Sequence, residues 1–189
     1  NNSLFSVQPD IANDGTLTFT GAANANGSAT VTVQVQDDGG TANGGDDLST
    51  SQTFTITFTA VNDEPSVTLA GNQTINEDAG AQTVGSFATG FQPGGGSDES
   101  GQSIAAFVVT NDNNGLFSSQ PTIATDGTLT YTATADASGT AIVTVQVQDD
   151  GGTANGGDDL SVAQTFTITV NAVNDQPAPV DQTIGVPED

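Results

Sequence analysis

Apolar and polar residues alternate with a period of two through much of this chain. Val143, Val145 and Val147 are separated by Thr144 and Gln146, and Phe166, Ile168 and Val170 by Thr167 and Thr169. Successive side chains of a strand point to opposite faces, so each stretch predicts a strand with one face in a core and the other in water. Clusters of Gly, Asp and Asn lie between such stretches, and no amphipathic helical window of useful length interrupts them. Between Pro65 and Gln176 the pattern predicts seven strands, roughly 66–76, 81–89, 103–110, 116–124, 128–134, 140–148 and 165–173. Seven strands in that length point to an all-β Greek-key sandwich. Asp126-Gly127, between the fourth and fifth strands, predicts a two-residue hairpin turn, because both residues tolerate the positive φ that such a turn requires.

The chain also repeats itself. Shifted by 112 positions, Asn1-Asn2-Ser3-Leu4-Phe5 falls on Asn113-Asn114-Gly115-Leu116-Phe117, and the register holds without a gap for 65 positions with 16 differences. VTVQVQDDGGTANGGDDLS is identical at Val31 to Ser49 and Val143 to Ser161, and NQTI at 72–75 is echoed by DQTI at 181–184 after a gap. The natural boundary is the recurring VND-x-P, at Val61 to Pro65 and Val173 to Pro177, where proline interrupts a long alternating stretch. The expected organisation is therefore the C-terminal part of one repeat over 1–64, a complete repeat over 65–176, and the first strand of a following repeat over 177–189. Residues 1–64 lack counterparts of the first three predicted strands and cannot close a sandwich alone. Either the natural chain continues at both ends, or 177–189 enters the incomplete sandwich of an identical neighbour and builds a head-to-tail fibre.

Composition removes whole classes of function. The 189 residues include no Lys, Arg, His, Cys or Met, and 23 acidic residues give a net charge of −23. Phosphates are neutralised by Lys and Arg, so nucleic acid is excluded as a partner, and anionic headgroups are repelled. Disulfides, thiolate metal sites and lysine isopeptide crosslinks lack their residues. No apolar run reaches the ~18 residues that span a bilayer, which argues against membrane insertion. No signal peptide opens the chain, so the localisation signal is expected outside this stretch.

The acidic residues sort into two groups. In a seven-strand sandwich the chain enters at one pole and leaves at the other. At the leading junction Asn62, Asp63 and Glu64 are expected to face Asp98 and Glu99 from one loop and Asp149, Asp150, Asp158 and Asp159 from another. At the trailing junction Glu77, Asp78 and Asp136 are expected to approach Asn174 and Asp175. Two carboxylates about 5 Å apart at an effective dielectric near 20 repel by about 3 kcal/mol, against a domain stability of about 5 to 15 kcal/mol. Either the acids are splayed into water, as turn residues commonly are, or a cation sits among them. With no basic side chain, that cation comes from solution, and oxygen ligands select Ca²⁺ before Mg²⁺. The GGTANGG between Asp150 and Asp158 also reads as a mobile loop. The GGDD strings are similar to nucleotide-cyclase signatures, but a triphosphate site without a basic residue is not viable.

At VND-x-P, DGTLTY, SGTAIVTVQVQDDGG and QTFTITVNAVND the chain resembles bacterial cadherin-like and immunoglobulin-like tandem repeats of very large secreted proteins. The resemblance implies sandwiches strung head to tail, with Ca²⁺ at their junctions, in adhesins, biofilm matrix proteins or surface filaments. VND-x-P is similar to the cadherin linker DxNDNxP. Asn62-Asp63 and Asn174-Asp175 keep the ND, while the first Asp of the linker is missing. The expected function is a non-catalytic extracellular spacer whose partners are neighbouring repeats or identical subunits, with any glycan target elsewhere in the parent protein. Exposed Thr rows such as Thr165, Thr167 and Thr169 leave open a polysaccharide- or ice-binding repeat, and the acidity leaves open simple adaptation to high salt. Catalysis by a carboxylate pair is the one enzymatic route that the composition permits, and one Tyr and no Trp provide no aromatic sugar cleft.

The alternation carries a direct test. Val145→Asp would place an unpaired charge on the face predicted to be buried, and that costs more than a marginally stable domain can absorb. Loss of the folded circular dichroism signal of 65–176 is the expected outcome.

Overall fold

A computed structural model describes residues 1–177; the expected strand over 177–189 lies, Pro177 apart, outside the described residues. Thirteen strands follow one another among them. The first copy holds β1 (Phe5–Ile11), β2 (Leu17–Gly21), β3 (Gly27–Val33) and β4 (Gln52–Phe58). After the linker come β5 (Ser66–Leu69), β6 (Gln73–Asn76), β7 (Ala81–Val84), β8 (Ala88–Gln92), β9 (Ile104–Asn111), β10 (Phe117–Ile123), β11 (Leu129–Ala133), β12 (Gly139–Asp149) and β13 (Gln164–Asn171). The only helical pieces among the described residues are single three-residue turns, and no helix is long and apolar enough to cross a membrane.

The protein is all-β, built of open sheets that fit a β-sandwich. One sheet runs β10-β11-β7 and another β6-β13-β12-β9, in which β6 lies parallel to β13; β5 and β8 form a two-stranded sheet, as do β1 with β2 and β3 with β4. Two predicted strands are broken. The expected strand 66–76 bends at Gly71, which takes a positive φ, so that β5 joins β8 while β6 joins β13. The expected strand 81–89 divides at Gly85-Ser86 into β7 and β8, which belong to different sheets. Period-two patterning marks buried faces but not the point at which a strand changes partner.

The described chain divides into two compact units. One comprises Asn1–Val67, Gly90–Ala106 and Val147–Val162, and the other Thr68–Thr89, Phe107–Gln146 and the chain from Ala163. The complete repeat expected over 65–176 thus contributes segments to both. The second unit holds the main core, in which Phe117, Ile123, Leu129 and Tyr131 of β10 and β11 pack with Ala141, Val143, Val145, Phe166, Ile168 and Val170 of β12 and β13. The rings of Phe87 and Phe166 meet at 4.6 Å between centroids with their planes tilted by 56°. All six residues predicted to point inward from β12 and β13, Val147 of the first unit included, are buried. The first unit has a smaller cluster of Leu4, Phe5, Ala29 and Ile56, with Phe5, Phe19 and Phe58 meeting edge to face.

The hairpin between β10 and β11 forms, but not as the two-residue turn expected. Ile123 pairs with Leu129, five residues intervene, and of the Asp126-Gly127 pair only Gly127 has positive φ, at +82°. Asp126 instead accepts the Thr128 N–H at 2.9 Å through its side chain. Gly127 also accepts the Ala88 N–H at 3.0 Å, and a Cβ there would collide with the Ala88 carbonyl oxygen. Its counterpart Gly15, at φ +86°, has open space around it. Gly127→Ala therefore adds a steric clash to the backbone strain that Gly15→Ala bears alone. The expected cost is about 1 kcal/mol for Gly15→Ala and at least ~2 kcal/mol for Gly127→Ala, measured by urea denaturation with Tyr131 fluorescence reporting the second unit and far-ultraviolet circular dichroism the whole.

Candidate functional site

Two groups of acidic side chains form, each inside one unit. In the first unit the linker residue Asn62 donates its side-chain N–H to Asp149 Oδ1 at 3.1 Å and to the Asp158 carbonyl at 2.7 Å. Its own Oδ1 accepts from Gln102 Nε2 at 2.6 Å, and its carbonyl accepts the Asp158 N–H at 2.9 Å. Asp63 gives its backbone N–H to Glu99 Oε1 at 2.5 Å. The linker is thus sewn to the two loops that the sequence assigned to it. Gly95 lets the Asp63 and Glu99 carboxylates lie against its backbone, for a Cβ would meet Asp63 Oδ2 and stand 2.8 Å from Glu99 Oε2. Asp98 lines two clefts beside the linker, one of about 220 Å³ shared with Asn24, Asn26 and Asp63, the other of about 160 Å³ shared with Asn62, Glu99 and Gln102.

Burial sets this group apart. Glu99 and Asp149 are each only 2% exposed, and Glu99 Oε2, Asp149 Oδ2 and Gln102 Oε1 are buried oxygens with no hydrogen-bond partner. All three are acceptors, and a buried acceptor left unmade costs about 1 to 3 kcal/mol. Burial pushes the Glu99 carboxyl above the ordinary range; the Asp63 N–H opposes this, while repulsion from Asp63, Asp98 and Asp149 adds to it. The donor set of carboxylate and amide oxygens suits a hard cation.

The other expected members lie differently. Asp150 accepts the Ser103 N–H at 2.9 Å and its hydroxyl at 2.8 Å, and these bonds hold its carboxyl below the usual range. Asp158 spends its carboxylate on the Leu160 N–H, and Asp159 on Gln148. Glu64 is exposed. Gln102, Ser103 and Asn24 belong to the surroundings of the site and escaped the sequence reading, which followed charge alone. The glycine run of Gly94-Gly95-Gly96 just ahead of Asp98-Glu99 was the available signal for a backbone approached closely by other groups.

In the second unit Asp78, Asp136 and Asp175 each place a carboxylate oxygen within 4.8 Å of the others, all exposed. Asp78 and Asp136 sit in turns at φ +62° and +58°. Glu77 is buried instead and accepts the Val173 N–H at 2.6 Å, which ties this loop to the second linker. Asn174 donates to the Asp175 carbonyl at 3.1 Å. Repulsion from Asp136 comes first in raising the Asp175 carboxyl above its ordinary value, followed by burial and by Asp78 and Glu77.

No family model matches the sequence, and no curated protein is similar to it.

The Glu99 shift fixes a sign. A carboxyl whose folded pKa is raised opposes folding when ionised, so its share of stability improves as pH falls through that raised value toward the ordinary range. Asp150, shifted downward, does the reverse, contributing above the ordinary range and losing that contribution as pH falls through its folded value. Glu99→Gln keeps an acceptor for the Asp63 N–H and offers a donor to the surrounding carboxylates. In EGTA at pH 7 the substitution is expected to raise stability by about 1 kcal/mol, an advantage that shrinks toward pH 4. Thermal melts at both pH values measure it, and destabilisation at pH 7 would contradict this account.

Proposed function

We propose that this chain is a non-catalytic structural repeat of an extracellular stalk, adhesin or filament, built from Greek-key sandwiches of immunoglobulin-like or cadherin-like type and stiffened by Ca²⁺ at the linkers. The observation that carries the proposal is the trio of orphan buried oxygens on Glu99, Asp149 and Gln102 around Asn62-Asp63, in a chain with no basic side chain. Burying several carboxylates together opposes folding unless a positive charge joins them. Asp63, Asp98, Glu99, Asp149 and the Gln102 Oε1 would hold the ion, with Asn62 orienting Asp149 and Gln102, and Asp78, Asp136 and Asp175 would form a second, more open site. Bound Ca²⁺ would supply charge neutralisation and crosslink loops to linker; it would do no chemistry on a substrate.

The fold part of the proposal draws on strand order. β6 leaves β5 to run parallel to β13, and the sheets β10-β11-β7 and β6-β13-β12-β9 share one core. The 112-residue self-similarity supports the repeat, and the linker resemblance supports the extracellular setting. The rival polysaccharide- or ice-binding reading draws less support, because Thr167 and Thr169 of its Thr row are half-buried.

Extracellular modules hold Ca²⁺ with dissociation constants of about 0.1 to 1 mM. Raising Ca²⁺ from EGTA to 10 mM is therefore expected to stabilise the chain by about 1.4 to 2.7 kcal/mol, where equal ionic strength of NaCl does not. Asp149→Asn and Glu99→Gln should each remove most of that gain, so that Glu99→Gln is the more stable protein in EGTA and the less stable in Ca²⁺. Calorimetric melts across the titration decide it; a Ca²⁺ response no larger than that of NaCl would leave only the salt-adaptation reading.

A further inference from the structure

Equivalent positions are buried in one copy of the repeat and more exposed in the other. Leu129 and Tyr131 of β11 are 0% and 2% exposed, whereas their counterparts Leu17 and Phe19 of β2 are 37% and 40% exposed. Val31, Val33 and Phe54 are half-buried where Val143, Val145 and Phe166 are buried. In the second unit this face is packed against Leu69, Ile75, Val84, Phe87, Phe107 and Val109, all from the stretch between Ser66 and Asn111. The backbone follows the same contrast. β11 pairs with β7, β13 with β6, and β12 lies beside β9, whereas among the described residues β2, β3 and β4 each belong to a sheet of only two strands. Among the described residues three strand edges and one apolar face are thus open together.

We propose that β1–β4 form a strand acceptor whose occupant is a β-forming segment with the apolar pattern of residues 66–111. The match is specific, because Leu17, Val31 and Phe54 repeat Leu129, Val143 and Phe166 without change, and β3 and β4 pair in the same register as β12 and β13. Main-chain hydrogen bonds to the open edges would give affinity, and alternate apolar side chains on Leu17, Phe19 and Phe54 would give selectivity. Occupancy would also remove three edges that otherwise invite indiscriminate pairing. A segment with the charges of residues 66–111 is acidic and lacks cations, as 1–64 does, so its association tightens with salt, opposite to an ion-paired complex.

The test places residues 66–112 a second time ahead of Asn1 in the full chain, recreating the arrangement that precedes Asn113, with EGTA present so that the outcome does not depend on the calcium reading. Amide hydrogen exchange in β2, β3 and β4 is expected to slow at least about tenfold relative to the unextended chain. Leu17→Asp in the extended chain should abolish that protection, while Thr18→Asp, on the opposite face of the same strand, should preserve it. Changing the added copies of Phe87 and Phe107 to Asp should also return the exchange to its starting rate. Unchanged exchange on extension, or protection indifferent to Leu17→Asp, overturns the proposal. So does concentration-dependent dimerisation of the unextended chain that Leu17→Asp prevents, since the occupant would then be a second whole copy.

Discussion

Glu99 and Asp149 lie almost fully buried in a chain that has no Lys, Arg or His, so the positive ends available to them are those of N–H groups. The fold supplies some of these. Asp63 gives its backbone N–H to Glu99, while Asn62 through its side chain and Gly151 through its backbone give theirs to Asp149. Each bond also fixes the path of the linker, so the same interactions that compensate buried charge determine how the linker meets its loops. One oxygen of each carboxylate remains without a partner. The architecture around the linker therefore depends on how that remaining charge is met.

The same local sequence behaves differently when its surroundings change. Asp37 and Asp149 occupy equivalent positions, and each accepts the N–H two residues on, at 2.9 and 3.0 Å. Asp37 is exposed, whereas Asp149 is buried beside Asn62 and Glu99. A turn that is only a turn in one copy thus becomes part of an acidic site in the other. Electrostatics follows burial, since repulsion that water screens at an exposed position acts at short range and low dielectric in a buried one. This is why acid counting alone could not separate Glu99 from Asp150, whose carboxylate is satisfied by Ser103.

The two apolar clusters show the same dependence for packing. Val31 and Val33 alternate with polar residues as Val143 and Val145 do, yet a buried face needs another layer laid on it. Phe87, Phe107 and Ile75 provide that layer in the second unit. In the first unit the cluster of Phe5, Phe19 and Phe58 covers only part of the equivalent surface.

Much of this was determined by sequence alone. Period two in Val143 to Val147 and Phe166 to Val170 identified the buried faces, because strand geometry sends neighbouring side chains to opposite sides whatever the tertiary context. The 112-residue repeat and the grouping of Asn62, Asp63, Glu99 and Asp149, and of Asp78, Asp136 and Asp175, also followed from order along the chain and the polarity of a sandwich. Tertiary structure alone decided where the strand beginning at Ser66 changes partner, why Gly127 must lack a side chain against Ala88, and that Gln102 joins the linker. It also decided that Leu129 is buried and Leu17 is not. These depend on contacts between residues far apart in sequence, and identical local sequence cannot encode which distant segment lies over it.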